Sequence, residues 1–137
     1  MNKRDKEVYE QYRTLNRQGW NIPNTQEVLC RGNGGSESLK HRVAKTVAAS
    51  VATDSGYRTY SEVETDTGDE ADVLCYGHES RKPIVIELEN SLDERTRKKK
   101  LKQYLQGDVR EVYIIDLDNA PSDPNELYDH IKEITGL

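Results

Sequence analysis

Two glutamates at the end of a strongly apolar segment are the residues best suited to chemistry. The segment PIVIELENS, residues 83–91, has three consecutive β-branched residues followed by Glu87 and Glu89. Side chains on a strand alternate between its two faces, so Glu87 and Glu89 project from one face and Leu88 from the other. Two carboxylates on one face of a buried strand end indicate a site with a chemical purpose.

A third carboxylate is expected beside them. Asp72 lies at the start of the preceding apolar segment, EADVLCYG, residues 70–77. A hairpin places the start of one strand beside the end of the next, so Asp72 and Glu87 should lie close together. Converging carboxylates form the oxygen-rich site that Mg²⁺ or Mn²⁺ prefers. They also repel one another without a cation, which binding would relieve.

A strongly basic segment follows the acidic strand. In RTRKKKLK, residues 95–102, six of the eight residues are Lys or Arg, although the whole chain carries a net charge of −5. Such a local excess of positive charge is typical of a surface that contacts nucleic-acid phosphates. The predicted DNA-binding residues are Arg95, Arg97, Lys98, Lys99 and Lys102.

The surrounding sequence predicts the elements that position these residues. Residues 1–35 are interpreted as an N-terminal helical arm and linker, with a helix over 3–18 that ends at Gly19. A second helix is expected from about residue 36 to 53, where Val43, Val47 and Val51 form an apolar stripe. A capping box of Ser91 and Glu94 predicts a third helix, which ends at Gly107. The predicted strands cover residues 57–64, 71–76, 83–89 and 111–116.

From residue 36 to 137 the predicted order is therefore α-β-β-β-α-β-α. This order indicates an α/β domain with a mixed central sheet of about four strands, flanked by helices. A second acidic pair, Asp116 and Asp118, lies at the end of the last strand and is interpreted mainly as part of a loop. Tyr104 is expected in the core, and His41 is expected to have a structural or supporting role.

Residues 36–117 resemble the PD-(D/E)XK nuclease superfamily, which has the restriction-endonuclease-like fold. The resemblance rests on SESLKHRVAKTVAASVA, EADVLCYG and PIVIELENS and on the order of the elements. It implies that Asp72 and Glu87 bind a divalent metal ion and that Glu89 occupies the position of the usual lysine. There Glu89 would act as a general base or as a further metal ligand. The resemblance also implies that Glu37 completes the site.

The resemblance further implies a Mg²⁺- or Mn²⁺-dependent DNA endonuclease. The missing lysine could come from the basic helix, where lysines of this superfamily sometimes lie. The length of 137 residues is similar to that of small Holliday-junction resolvases, which makes branched DNA one candidate substrate. Cutting both strands often requires a homodimer, for which Val8, Tyr12, Leu15 and Trp20 are candidate contacts, unless they pack on their own core.

Two other interpretations remain open. A catalytically inactive DNA-binding module on the same fold is favoured by the absence of the usual lysine. An interaction protein with incidental acidic strand ends would bind neither metal nor nucleic acid. Metal-dependent thermal stabilisation separates that interaction protein from the other two.

The remaining composition indicates a cytoplasmic protein with no membrane partner. The first ten residues, MNKRDKEVYE, lack the apolar core of a signal peptide, and no apolar run approaches the length of a membrane span. Cys30 and Cys75 lie far apart and form no metal-binding pattern. We expect two free thiols rather than a disulfide.

Overall fold

The computed structural model of the chain describes residues 2–22, 38–65, 68–77, 82–105 and 109–137. The helices of this part are α1 (Lys3–Arg17), α2 (Leu39–Asp54), α3 (Glu94–Leu105) and α4 (Pro124–Thr135). The strands are β1 (Arg58–Glu64), β2 (Glu70–Tyr76), β3 (Ile84–Glu89) and β4 (Glu111–Asp116). A short 3₁₀ turn covers Leu117–Asn119. The predicted order α-β-β-β-α-β-α from the second helix onward is confirmed.

The four strands form one mixed sheet in the order β1-β2-β3-β4. The first three strands pair antiparallel, and β3 pairs parallel with β4. Parallel neighbours need a crossover connection, and α3 supplies it. The chain therefore has the predicted α/β architecture, a mixed four-stranded sheet with helices on both faces.

The apolar residues form two clusters, one on each face of the sheet. On one face, Val73, Ile86 and Leu88 of the strands pack with Val51 of α2 and Ile131 of α4. On the other face, strand residues pack with side chains of α1 and α3 in a second cluster. A strand in the middle of such a sheet is buried on both sides, which explains the unbroken apolar run at the start of β3.

The N-terminal helix packs on the sheet of its own chain. Leu15 is only 1% exposed and belongs to the second cluster, together with Trp20. Trp20 forms an isolated antiparallel bridge with Thr65, and the N–H of Asn21 donates to the carbonyl of Glu64 at 2.8 Å. Full burial of a leucine side chain contributes about 1.5–3 kcal/mol, so this contact is a substantial part of the fold. The structure thus uses these residues in the chain's own core.

The second helix is present as predicted but begins at Leu39, a few residues after the expected start near residue 36, and the predicted start of the third helix is wrong. Ser38 caps α2 by accepting a hydrogen bond from the N–H of His41. The third helix, however, begins at Glu94 and not at Ser91, since Asp93 Oδ1 accepts from the N–H of Thr96 at 2.7 Å. The N–H of Ser91 instead donates to Asp118 Oδ2, which lies far along the chain. A tertiary contact therefore replaces the local capping signal.

Several expectations concern residues outside the described ranges. Glu37, Cys30 and the expected helix end at Gly107 belong to this group. Cys75 is described, and it is a free, buried thiol. Within the described ranges no helix combines the length and the apolar character needed to cross a membrane.

The contact between α1 and the sheet leads to a first prediction. We expect Leu15→Ala to lower the free energy of unfolding by about 2–5 kcal/mol, because it opens a cavity in the second cluster. Urea unfolding at several protein concentrations measures the loss.

The matched control is Tyr9→Ala on the same helix, where the side chain is 52% exposed. This change should stay within about 0.5 kcal/mol of wild type. A loss for Leu15→Ala that varied with protein concentration would instead place Leu15 in an interface between two chains.

Candidate functional site

The candidate site lies where β2 and β3 part. Their ladder of paired residues ends at Val73 and Ile86. Beyond that pair, the N–H of Asp72 donates to Glu87 Oε2 at 3.4 Å, and the N–H of Leu88 donates to Asp72 Oδ2 at 2.8 Å. Carboxylate oxygens therefore accept hydrogen bonds that carbonyls of a continued ladder would accept. The predicted proximity of Asp72 and Glu87 is confirmed.

Burial gives the two acids different proton affinities. Burial would raise the pKa of Asp72, but the neighbouring side chains of His41 and Glu87 and the hydrogen bond from the Leu88 N–H outweigh it and lower that pKa to about 2. Glu87 is completely buried, and burial, then the hydrogen bond to Asp72 and its charge, raise the pKa of Glu87 well above its usual value. Asp72 is thus the member of the pair that ionises more readily, and Glu87 is the member that keeps its proton to higher pH.

Glu87 has an oxygen that the described part of the protein leaves without a hydrogen bond. Its Oε1 is buried and makes none there. Buried polar atoms are nearly always paired, and an unpaired one costs about 1–3 kcal/mol. An oxygen in this position, beside a second carboxylate, matches the chemistry of a cation ligand.

The donor set fits a hard divalent cation with few protein ligands. In the described ranges, no group of three or more His, Cys, Asp or Glu side chains is arranged to hold a metal ion. Mg²⁺, however, commonly binds through one or two carboxylates, with water and substrate phosphates as its other ligands. Asp72 and Glu87 satisfy that smaller requirement, and they are the residues that would hold the ion.

Lys100 of α3 brings a positive charge to the acids. Its Nζ lies 2.9 Å from Glu89 Oε1 and 3.8 Å from Glu87 Oε1. Burial by itself would lower the pKa of Lys100, but the nearby acidic groups of Glu87, Glu89 and Asp72 raise it overall. Lys100 therefore remains protonated at neutral pH, and Glu89 is held by it.

The sequence predicted the helix that supplies this lysine but not the residue. Lys100 precedes the buried Tyr104 by four positions, and residues four apart share a face of a helix. That spacing was the available signal, because it distinguishes Lys100 from its exposed neighbours. The predicted DNA-binding residues are all exposed, and they are Arg95, Arg97, Lys98, Lys99 and Lys102.

His41 approaches the site from α2, on the opposite side from Lys100. Its Nε2 lies 3.2 Å from the carbonyl oxygen of Leu88 and 3.7 Å from Asp72 Oδ2. His41 thus lies against both the metal-ligand candidate and the strand beside it, and its supporting role stays a prediction. Glu37, the other α2-side candidate, precedes His41 by four positions in the sequence and lies outside the described residues.

Tyr104 closes the site from the apolar side. Its hydroxyl donates to the carbonyl of Glu70 at 2.7 Å, and its ring stacks on Trp20 with centroids 6.3 Å apart. Burial and then the neighbouring carboxyl group of Glu87 raise the pKa of Tyr104. Tyr104 is therefore a neutral core residue, as predicted.

The second acidic pair shapes a turn. Asp118 Oδ2 accepts from the N–H of Ser91 at 2.6 Å, and Asp116 Oδ1 accepts from the N–H of Asp118 at 3.1 Å. Asp116 Oδ2 also accepts from the side-chain amide of Asn119. These bonds fix the segment just after Glu89 and so support the end of β3. Asp116 is the last residue of β4 and Asp118 lies in the 3₁₀ turn, so the loop interpretation is right for Asp118 only.

Repulsion between the carboxylates of Asp72 and Glu87 predicts that a neutral side chain at position 87 stabilises the metal-free protein. Glu87→Gln keeps an acceptor for the Asp72 N–H and gains a donor for its carboxylate. The raised pKa means that wild type loses stability as the pH rises from about 4.5 through the folded-state pKa of Glu87. We expect the variant to exceed wild type by about 1 kcal/mol or more at pH 8, and by little at pH 4.

Urea unfolding in EDTA at several pH values measures this difference. The control is Glu64→Gln, the same change at an exposed strand position, which should show no such pH dependence. If Glu87→Gln were less stable than wild type at pH 8, that result would contradict the inferred repulsion between the Asp72 and Glu87 carboxylates.

Comparisons with known proteins yield no match for this chain. No family model, curated protein or solved structure matches it. The features of this chain that point to a function are therefore the positions of Asp72, Glu87, Glu89 and Lys100.

Proposed function

We propose that this chain is a metal-dependent DNA endonuclease of the PD-(D/E)XK type, with a restriction-endonuclease-like core. The observation that carries the proposal is the position of Lys100, whose Nζ lies 2.9 Å from Glu89 and 3.8 Å from Glu87. A lysine beside two strand-end carboxylates supplies the charge that the sequence lacks at position 89. The α/β sheet and the gap between β2 and β3 are compatible with such a core.

In this proposal, Asp72 and Glu87 hold Mg²⁺ or Mn²⁺. When bound, the ion would polarise a phosphoryl oxygen and lower the pKa of a water molecule. A cation would also favour the ionised form of Glu87, which burial and the neighbouring Asp72 disfavour. A bound metal ion would thus shift the site towards its fully charged form.

Lys100 and Glu89 have paired roles. Because the pKa of Lys100 is raised, its ammonium is a donor and a positive charge and not a proton acceptor. It would hold a phosphate oxygen of the substrate and stabilise the charge that develops during hydrolysis. Glu89, with its side chain 22% exposed, orients Lys100 and would accept a proton from an attacking water.

The exposed cations of α3 would hold the DNA backbone. Arg95, Lys98, Lys99 and Lys102 follow the spacing i, i+3, i+4, i+7, which places them on one side of the helix. Lys100 and Tyr104 lie on the side that meets the sheet. Phosphates along this outer face would therefore flank the cleaved phosphate and would not coincide with it.

Cleavage of supercoiled, linear and four-way-junction DNA with Mg²⁺, Mn²⁺ or EDTA tests the proposal. We expect metal-dependent cutting by wild type. Asp72→Asn, Glu87→Gln and Lys100→Met should each lose about 100-fold or more in rate, because each removes a charge from the reacting centre. The control is Lys132→Met, an exposed change on α4, which should cut as wild type does.

Each alternative outcome has a distinct meaning. Cutting that persists in Asp72→Asn and Glu87→Gln would identify a contaminating nuclease. DNA that shifts on a gel without being cut would indicate an inactive DNA-binding module. If the protein shows neither stabilisation by metal ions nor binding to DNA, that result would indicate an interaction protein. The preferred substrate would show whether branched DNA is the target, and a homodimer would appear as cutting of both strands in one binding event.

A further inference from the structure

A buried ion pair joins α2 to β1 next to the candidate site. Nζ of Lys45 lies 2.7 Å from Glu62 Oε1, and the two side chains are 0% and 3% exposed. Removing two charges from water is costly, and apolar residues of similar volume often stabilise a fold equally well. A buried pair of this kind therefore calls for an explanation other than stability.

The backbone of Glu62 is in an unusual conformation for a residue inside a strand. Its φ is 54°, in the left-handed region, and Glu62 and Ser91 are the two non-glycine residues of the described ranges with positive φ. This region is sparsely populated by residues with a Cβ, and such strain is found preferentially at functional sites. Something in the surrounding structure must hold Glu62 there.

The strained residue lies opposite Asp72. The pairs on either side are Ser61 with Val73 and Val63 with Ala71, so the register places Glu62 across from Asp72. The normal alternation of side chains is interrupted at the same point. Tyr60 and Val63 both belong to the cluster on the α3 side, although residues three apart on a regular strand face opposite ways.

Strand β2 shows the same interruption at Asp72. Ala71 and Leu74, also three apart, both belong to the cluster on the α3 side. Asp72 lies between them, and its carboxylate reaches sideways to the N–H of Leu88 on β3. The paired irregularity at Glu62 and Asp72 thus coincides with the direction of the Asp72 side chain.

Helix α2 contacts both residues of this irregular pair. Lys45 binds Glu62, and His41, one helical turn earlier, approaches Asp72 with its Nε2 3.7 Å from Oδ2. Residues four apart share one face of a helix, so a single face of α2 holds both positions. Contacts from α2, in addition to the pairing of β1 with β2, therefore hold Glu62 and Asp72 in place.

We infer that Lys45 and Glu62 are positioning residues for Asp72. Their ion pair holds Glu62 in its left-handed conformation, which interrupts the pleat opposite Asp72 and directs the Asp72 carboxylate into the gap between β2 and β3. The purpose of this arrangement rests on the proposed function, in which Asp72 is a ligand of the metal ion.

Two double variants separate the backbone effect from the loss of charge. Lys45→Met with Glu62→Gly and Lys45→Met with Glu62→Val both remove the ion pair. Glycine adopts positive φ freely, whereas a β-branched residue does so rarely. The valine variant should therefore restore a regular pleat, and the glycine variant should retain the irregular one.

The first measurement is amide hydrogen exchange of Leu88 in metal-free protein, because the Leu88 N–H donates to Asp72. We expect exchange to accelerate by about tenfold or more in the valine variant, as local opening reaches the site, and to stay near wild type in the glycine variant. The amide of Ile86, within the regular β2–β3 pairing, is the internal reference for global stability.

The second measurement is the apparent Mn²⁺ affinity from thermal stabilisation. Loss of a residue that orients a metal ligand typically lowers affinity by about 10–100-fold, which we expect for the valine variant alone. If both variants keep the wild-type exchange rate of the Leu88 amide and the wild-type Mn²⁺ affinity, the ion pair of Lys45 and Glu62 is merely structural. That result would overturn the inference. Equal losses in both variants, with Ile86 still protected, would overturn it too, since charge and not backbone conformation would then matter.

The two proposals fail in different ways. Wild-type protein that shows no response to metal ions would refute the nuclease proposal. The exchange rate of the Leu88 amide would still test whether Lys45 and Glu62 position Asp72. If the valine variant does not fold, the glycine variant decides alone, because faster Leu88 exchange in that folded protein would overturn the inference.

Discussion

Two backbone N–H groups at the parting of β2 and β3 determine where the candidate site lies. A buried N–H without a partner costs about 1–3 kcal/mol, so a ladder can end inside a protein only if other acceptors replace the carbonyls. Here the acceptors are the carboxylates of Asp72 and Glu87, at 2.8 Å for the Leu88 N–H and 3.4 Å for the Asp72 N–H. The need of these two N–H groups for acceptors therefore accounts both for the end of the β2–β3 pairing and for the proximity of Asp72 and Glu87.

The topology of the sheet then brings a positive charge close to the carboxylates of Asp72 and Glu87. Because β3 and β4 are parallel neighbours, the chain must cross over one face of the sheet between them, and α3 makes that crossing. The crossover begins directly after the acidic end of β3, so its first turns pass the carboxylates. Lys100 reaches Glu87 and Glu89 from this helix, and the remaining cations are left on its outer face.

Three features that cost stability lie around Asp72. They are the raised pKa of Glu87, the left-handed backbone of Glu62 and the buried charge of Lys45. Elsewhere the two faces of the sheet bury ordinary apolar clusters. Local departures from the rules of folding that gather at one place are typical of functional sites, since selection there acts on chemistry as well as on stability.

The sequence by itself determined the order of the elements and the meeting of Asp72 with Glu87, because strand alternation and hairpin pairing are local rules. It could not determine which cation enters the site, since that depends on how α3 is rotated against the sheet. Nor could it locate the start of α3, where a contact between Ser91 and Asp118 replaces the local cap, or the ion pair of Lys45 with Glu62. These contacts join residues distant in sequence, and only the tertiary structure decides them.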